Sequence, residues 1–433
     1  MKKAAVLLTC FLVLVLAAAC QKDNAVLLND EMPEEEDLWE GEAPEELQVQ
    51  ITVALGRGAY SVESKSYPIL ERIRSYQEAH QDVGVKSHEL MYMSGVPFQI
   101  DPFPDVIELA PHQARWVADG ELETLDSVVQ MIGWSGAYAD LIERTKVNNH
   151  VRMLPINAEP LVVYYDEEVF GRLNLSLPHD DWTWDEFISA SVLLDANGYS
   201  VSIPDSFEIY EPIIKGLGGG YISQDGSTFT GFLDGEATIR AFEQVIASFG
   251  EQRANAINRN RPIALGIDWP SALFSQLDEN EHLKIARMPV FPDGNRYNTM
   301  FTTGLSISSQ SKFKSTALEL VKSVIEADDR EAVRFANYHA LVTREGRFQS
   351  RPPAQTGQLL DIMELETQIA TPNPFQLHTN IIFYQGLLYN HEDVFFKSFP
   401  QIYEQGTAEP VLKQLAGILD TLYPSMKGNW RGL

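Results

Sequence analysis

The sequence predicts an α/β fold of two lobes, and three observations lead to that expectation. Between residues 51 and 109, short apolar runs alternate with a helical pattern in the order strand, helix, strand, strand, which favours a largely parallel sheet covered by helices. Segment 151–194 then reads strand, bend, strand, short helix, loop, helix. Roughly 385 residues follow an acidic N-terminal stretch, more than a single core ordinarily organises.

The N-terminus reads as a secretory leader over residues 1–19. Lys2 and Lys3 give a positive start, residues 4–16 are an apolar core, and Ala17, Ala18 and Ala19 are small residues at a cut site. The apolar run is shorter than the roughly 20 residues a membrane-spanning helix needs. Cys20 follows directly, an arrangement similar to a bacterial lipobox, which implies lipidation of Cys20 and anchoring of the chain to a membrane by acyl chains such as palmitate. The only other cysteine, Cys10, lies within the leader, so no disulfide framework is available. Residues 20–49 are expected to form a disordered tether. Within it, residues 30–47 hold ten Asp and Glu and no Lys or Arg, too little apolar surface to offset the entropy of ordering. The net charge is −28, and about −18 remains once those ten acids are set aside, which excludes a nucleic-acid partner that would require a basic face.

Within the body, Ile51 to Leu55 reads as a strand and Pro68 to His80 as a helix with proline in its first turn. Val85 to Met93 and Asp105 to Leu109 read as further strands. Thr183 and Glu186 have the spacing of a capping box, ahead of Trp184, Phe187, Ile188 and Val192 at helical intervals. Gly218-Gly219-Gly220 leads an expected hairpin around Asp225-Gly226, followed by a helix from Gly235 to Phe249. Ile263 to Ile267 reads as a strand and Pro410 to Leu422 as a closing helix.

These residues carry a resemblance to extracellular solute-binding protein family 1, the maltose-binding type. It rests on Leu154-Pro155, Tyr164-Tyr165-Asp166-Glu167, Phe170, Pro178 and Thr183-Trp184-Asp185-Glu186-Phe187. Pro104-Asp105-Val106-Ile107, Gly120-Glu121-Leu122, Pro262 to Trp269, Pro292-x-Gly294 and Gln405-Gly406 follow in family order, so that residues 50–425 are covered. Asp166 and Glu167 stand where the family usually has Asn-Lys. A second departure lies at residues 94–103. The family places a helix there, but Pro97 and Pro102 interrupt this segment and Pro104 follows it.

The resemblance implies a periplasmic-binding-protein-like fold. One lobe would comprise residues 50–158 and 300–345, the other 159–299 and 346–433. Hinge crossings are expected near 156–162, 290–303 and 340–350, with a ligand cleft between the lobes. It implies an extracytoplasmic lipoprotein that captures a small solute, a carbohydrate for preference, for the permease subunits of an ABC importer by closure of the lobes. A binding protein repurposed for sensing or protein interaction is the alternative, and a glycoside-processing enzyme a distant one.

Seven residues are the candidate ligand contacts. Trp269 follows an apolar strand, where the family presents a stacking aromatic, and Asp268 beside it can accept from hydroxyls. Arg57 and Tyr60 lie in the loop after the first strand, Asn157 and Glu159 on the first crossing, and Tyr221 after the triple glycine. Trp182 and Trp184 are read as structural. No catalytic, metal or cofactor site is expected. His88-Glu89 lacks the second histidine of a zinc motif, Gly133-Trp134-Ser135-Gly136 is one residue short of a nucleophile elbow, and Gly216 to Gly220 lacks the Lys-Ser/Thr of a phosphate loop.

Overall fold

The computed structural model describes residues 49–56, 68–90, 103–111, 113–114, 120–204, 206–246, 261–325, 328–343, 355–372, 401–402 and 405–428. The chain divides into two compact units, Met1–Glu42 and Ala43–Leu433. The first, with the leader and Cys20, lies outside the described residues, as do Arg57, Tyr60, residues 94–102 and residues 344–350 of the third expected crossing.

From the N-terminal side the elements are β1 (Val49–Gly56), α1 (Pro68–Ala79), β2 (Val83–Leu90), β3 (Val106–Leu109), α2 (Asp126–Ile132), α3 (Ala137–Arg144) and β4 (Leu154–Pro160). Next come β5 (Val162–Asp166), α4 (Glu167–Arg172), α5 (Trp184–Ala196), β6 (Ser200–Ser202), α6 (Phe207–Gly216), α7 (Glu236–Ala241), β7 (Ile263–Asp268), α8 (Pro270–Glu279) and β8 (Leu283–Ala286). The chain ends with β9 (Thr299–Ile307), α9 (Lys314–Val324), α10 (Asp329–Thr343), α11 (Thr356–Thr367), β10 (Thr371–Pro372) and α12 (Glu409–Gly428).

The strands form two sheets. In the first, the order is β10-β9-β3-β1-β2, with β4 on the remaining edge of β9. β1 runs parallel to β2 and β3, while β9 runs antiparallel to β3 and β4. Both faces of β1 are covered, which is why it reads as a nearly continuous apolar run. Ile51, Val53 and Leu55 enter a core shared with α1, α3, α9 and α10, and Ala54 enters a smaller cluster on the opposite face. Gly304 lets β9 sit between two partners, since a β-carbon there would lie 2.5 Å from the Leu154 carbonyl oxygen.

The second sheet has the order β6-β7-β5-β8. Alternation along β5 divides it between two cores. Val163 and Tyr165 face the larger one, with α5, α6 and α12, and Val162 and Tyr164 face α8, α10 and α11. Gly266 is required in β7 because a β-carbon there would meet the Tyr164 hydroxyl and the Ser202 carbonyl at 2.5 Å. Each sheet is thus the centre of its own lobe; β4 of the first runs into β5 of the second through the single residue Leu161, and the chain returns to the first sheet between β8 and β9.

The local signals in 164–187 form as read. Asp166 caps α4 by accepting the Val169 N–H at 2.9 Å, so the departure from asparagine leaves the cap intact. Thr183 accepts from the Glu186 N–H and Glu186 accepts from the Thr183 N–H at 2.8 Å, completing the capping box of α5. The Thr183 N–H and hydroxyl both donate to the Glu186 carboxyl and hold it below its ordinary range. Trp182 and Trp184 are buried and tilted against Phe187, a structural placement.

Two expectations are corrected. The segment around Asp225-Gly226 is a turn without flanking strands. There the Ser223 and Asp225 side chains accept from the Ser227 N–H, so local side-chain bonds displace a strand ladder. The helix expected over 235–249 is α-helical only to Ala241 and continues as a π-turn over Phe242–Ile246.

Helix α10 ties the lobes together. Ala332, Val333, Phe335 and Ala336 enter the first lobe's core, and Leu341 packs on the second sheet. His339 on this helix is fully buried, and burial, with a smaller contribution from Arg72, pulls its pKa down to about 3. The unfolded chain takes up this proton near pH 6.5 and the native state does not. Stability is therefore full above pH 6.5 and is lost as pH falls towards 3. In His339→Leu the acid-side loss should be shallower by up to about 1.4 kcal/mol per pH unit, measured by urea unfolding between pH 7 and pH 4. Equal slopes in the two proteins would place the proton elsewhere.

Candidate functional site

The polar residues of the first lobe collect where β4 pairs with β9. Asn157 lies opposite Thr303 and Glu159 opposite Phe301. Residues directly opposite on an antiparallel pair share a face, so an amide, a carboxylate, a hydroxyl and an aromatic ring lie together. Asn157, Glu159 and Thr303 are buried, and the Phe301 ring is half-buried against the core of the second lobe.

Glu108 of β3 extends this cluster. Its Oε1 accepts from the Thr303 hydroxyl at 2.6 Å and its Oε2 from the Gly56 N–H at 2.9 Å. Burial pushes its carboxyl pKa up, against the opposing effect of these two donors. Glu108 therefore joins the last residue of β1, directly ahead of Arg57, to the strand carrying Thr303.

The second lobe contributes the turn from β7 into α8. Pro270 occupies the first turn of the helix and has no N–H, and the preceding Trp269 provides no side-chain cap. The Ser271 N–H is instead taken by Glu159 Oε1 at 2.8 Å. A carboxylate from one lobe thus caps a helix of the other, where the helix dipole favours negative charge. Asp268 is partly exposed, and its Oδ1 accepts the Trp269 N–H at 2.8 Å. Trp269 itself is 7 % exposed and packs within the larger core of the second lobe.

Of the seven sequence candidates, Glu159 meets the turn that carries Asp268 and Trp269, with Asn157 two residues before Glu159 on the same strand and the Trp269 ring within the second lobe's core. Tyr221 does not join them. It is buried in the second lobe's core, donates to the Phe207 carbonyl oxygen and stands edge-on to the Phe207 ring, and burial pushes its phenol well above the ordinary value. Glu108, Thr303 and Phe301 were not singled out from sequence. The available signal was Glu108 itself, a lone carboxylate in the apolar run Val106–Leu109.

Chemically, the seam offers carboxylates and an amide that bond hydroxyls, next to flat aromatic surface. Its two buried carboxylates are each engaged by a backbone N–H. Among the described residues no group of three His, Cys, Asp or Glu is placed to hold a metal ion, and no helix is long and apolar enough to cross a membrane.

Solved structures share this architecture. The sugar-binding protein MalE from Xanthomonas citri superposes with a TM-score of 0.66 at 12% identity, covering 89% of this chain and 100% of its own. The GacH receptor of Streptomyces glaucescens, solved unliganded and with acarbose, gives 0.61 at 16% identity, covering 88% and 99%. An ABC substrate-binding protein from Listeria monocytogenes, solved with cycloalternan, gives 0.61 at 14% identity, covering 86% and 98%. No curated protein matches the sequence. The family profile described as bacterial extracellular solute-binding protein matches residues 99–331, more than half of the chain. With two sheet-centred lobes meeting at a polar and aromatic seam, the chain belongs to the bacterial extracellular solute-binding protein family.

Proposed function

We propose that the protein captures a carbohydrate between its two lobes and delivers it to an ABC importer, held at the outer face of the membrane by lipid on Cys20. The observation that carries this reading is the Glu159–Ser271 bond, which brings the strand with Asn157 and Glu159 of one lobe against the turn with Asp268 and Trp269 of the other. A ligand that bonds groups on both sides favours the closed arrangement by its differential affinity for it. The structural neighbours, among them a sugar-binding protein and a receptor solved with acarbose, support the ligand class. The permease partner and the tether over residues 20–49 follow from the family and from the sequence, with crossings near Leu161 and Asn298.

A thermal-shift screen of sugars from monosaccharides to oligosaccharides tests the ligand class. At a concentration 100 times its Kd, a true ligand adds about 2.7 kcal/mol to stability. A melting temperature that moves with amino acids or peptides and with no sugar would overturn the carbohydrate reading.

Asp268 is the more informative contact to remove, because a core tryptophan cut to alanine costs about 3–5 kcal/mol of stability in its own right. Asp268→Asn keeps an oxygen acceptor for the Trp269 N–H while it removes the charge and exchanges the other acceptor oxygen for an NH2. Titration calorimetry should show at least about tenfold weaker sugar binding, equivalent to about 1.4 kcal/mol, with the melting temperature little changed. Undiminished affinity would remove Asp268 from the site.

For the anchor, Cys20→Ala should abolish metabolic labelling with fatty acid and release the protein from the membrane fraction. Stable attachment needs more than one acyl chain, so retention of a labelled, membrane-bound variant would locate the anchor at another residue.

A further inference from the structure

We propose that Asn298 is a positioning residue of the hinge, whose side chain pins the chain crossings to one another and so sets how far apart the lobes stand before any ligand arrives. The proposal rests on the two-lobe capture reading above and is independent of the ligand's class.

The geometry starts at Leu161, where the chain leaves one sheet for the other. Its N–H donates to the Thr299 carbonyl at 3.2 Å, and its carbonyl accepts from Asn298 Nδ2 at 2.8 Å. The same Nδ2 donates to Glu366 Oε2 at 2.7 Å, and Glu366 Oε1 accepts from Arg287 Nε at 2.7 Å. Asn298 Oδ1 accepts the Thr299 N–H at 2.7 Å, and the Asn298 carbonyl accepts the Thr371 N–H at 3.2 Å.

One buried residue thus joins the β4-to-β5 crossing, the entry into β9 and the segment from α11 into β10. Asn298 is 2 % exposed and Glu366 fully buried. The amide's orientation is fixed by chemistry, because a backbone carbonyl and a carboxylate engaged by arginine are acceptors and must face the nitrogen. When two lobes rotate about crossing segments, those segments absorb the backbone change. A side chain that bonds all of them limits how far they can slide past one another.

The test reads the distance between lobes without ligand. In the full chain with Cys10 and Cys20 replaced by serine, spin labels are placed at Met131→Cys on α2 and Leu193→Cys on α5, where the native side chains are 69 % and 49 % exposed. Pulsed dipolar spectroscopy then compares distance distributions. Asn298→Ala should shift the mean beyond the width of the reference distribution or add a second component. Glu366→Gln, which fills the same volume but gives up one acceptor, should shift it less in the same direction. Thr183→Ala, a lost cap on α5, serves as the control for general destabilisation and should lower the melting temperature with the distribution unmoved. Asn298→Ala and Glu366→Gln distributions that superimpose on the reference, with only the melting temperatures reduced, would overturn the proposal and leave Asn298 a packing residue. If Asn298→Ala does not fold, Glu366→Gln decides alone, and an unmoved distribution counts against the pin. Since no ligand enters the measurement, a failed sugar screen would leave this result standing.

Discussion

Backbone that leaves one sheet and enters another must satisfy its buried N–H and C=O groups where no ladder continues. At Leu161 this constraint is met from a sequence-distant strand, by the Thr299 carbonyl and the Asn298 amide. Much of the hinge region follows from it. Asn298 needs an acceptor for its second hydrogen, which is the role of Glu366, and the buried Glu366 needs a cation, which is Arg287. Nearby, Asn337 of α10 donates to the Ala158 carbonyl and to the Thr367 hydroxyl, tying the same crossing to α10 and α11. The lobes are joined by a small set of buried polar side chains, each with a backbone or charged partner.

Buried carboxylates recur in this acidic chain. Glu108, Glu211 and Glu366 all have their pKa values raised by burial, and in each case hydrogen bonds or a nearby cation act in the opposite direction. Glu211 on α6 holds the Thr299 hydroxyl at 3.0 Å and pairs with Lys215 at 2.5 Å. The charges removed from water are thus concentrated around β9, the strand that enters the first sheet from the second lobe. Breaking one partner of such a pair leaves a buried charge uncompensated, a larger penalty than loss of the contact itself.

How much of this was legible in sequence depended on the separation of the interacting groups. The capping box of Thr183 and Glu186, the Asp166 cap, the β7 strand and the closing helix are local, and their residues declare them. The seam was half legible. Glu159, Asp268 and Trp269 stand out by type and by position near strand ends, and Asn157 by type within a crossing segment. That Glu159 caps α8 could not be read, because its donor Ser271 lies 112 residues away. Glu108 and Thr303 are 195 residues apart, and only the odd carboxylate hinted at them. Tyr221 misled because a tyrosine after glycines has the same local appearance whether its hydroxyl meets a ligand or the Phe207 carbonyl. The turn at Asp225-Gly226 misled because serine and aspartate can close a turn on their own backbone without any strand to follow.

The position of β9 bears on how the protein is made. Its hydrogen bonds to β3 and β4 complete the first sheet, yet it is encoded after the whole of the second. As the chain is delivered N-terminus first, β3 and β4 must wait with open ladder edges until residues 299–307 arrive. The N-terminal half therefore remains an incomplete body through most of synthesis, and the lobe that begins first finishes late. Dividing the gene at the Leu161 crossing would yield a first fragment that lacks its own central strand, so the two lobes cannot be produced as consecutive independent pieces.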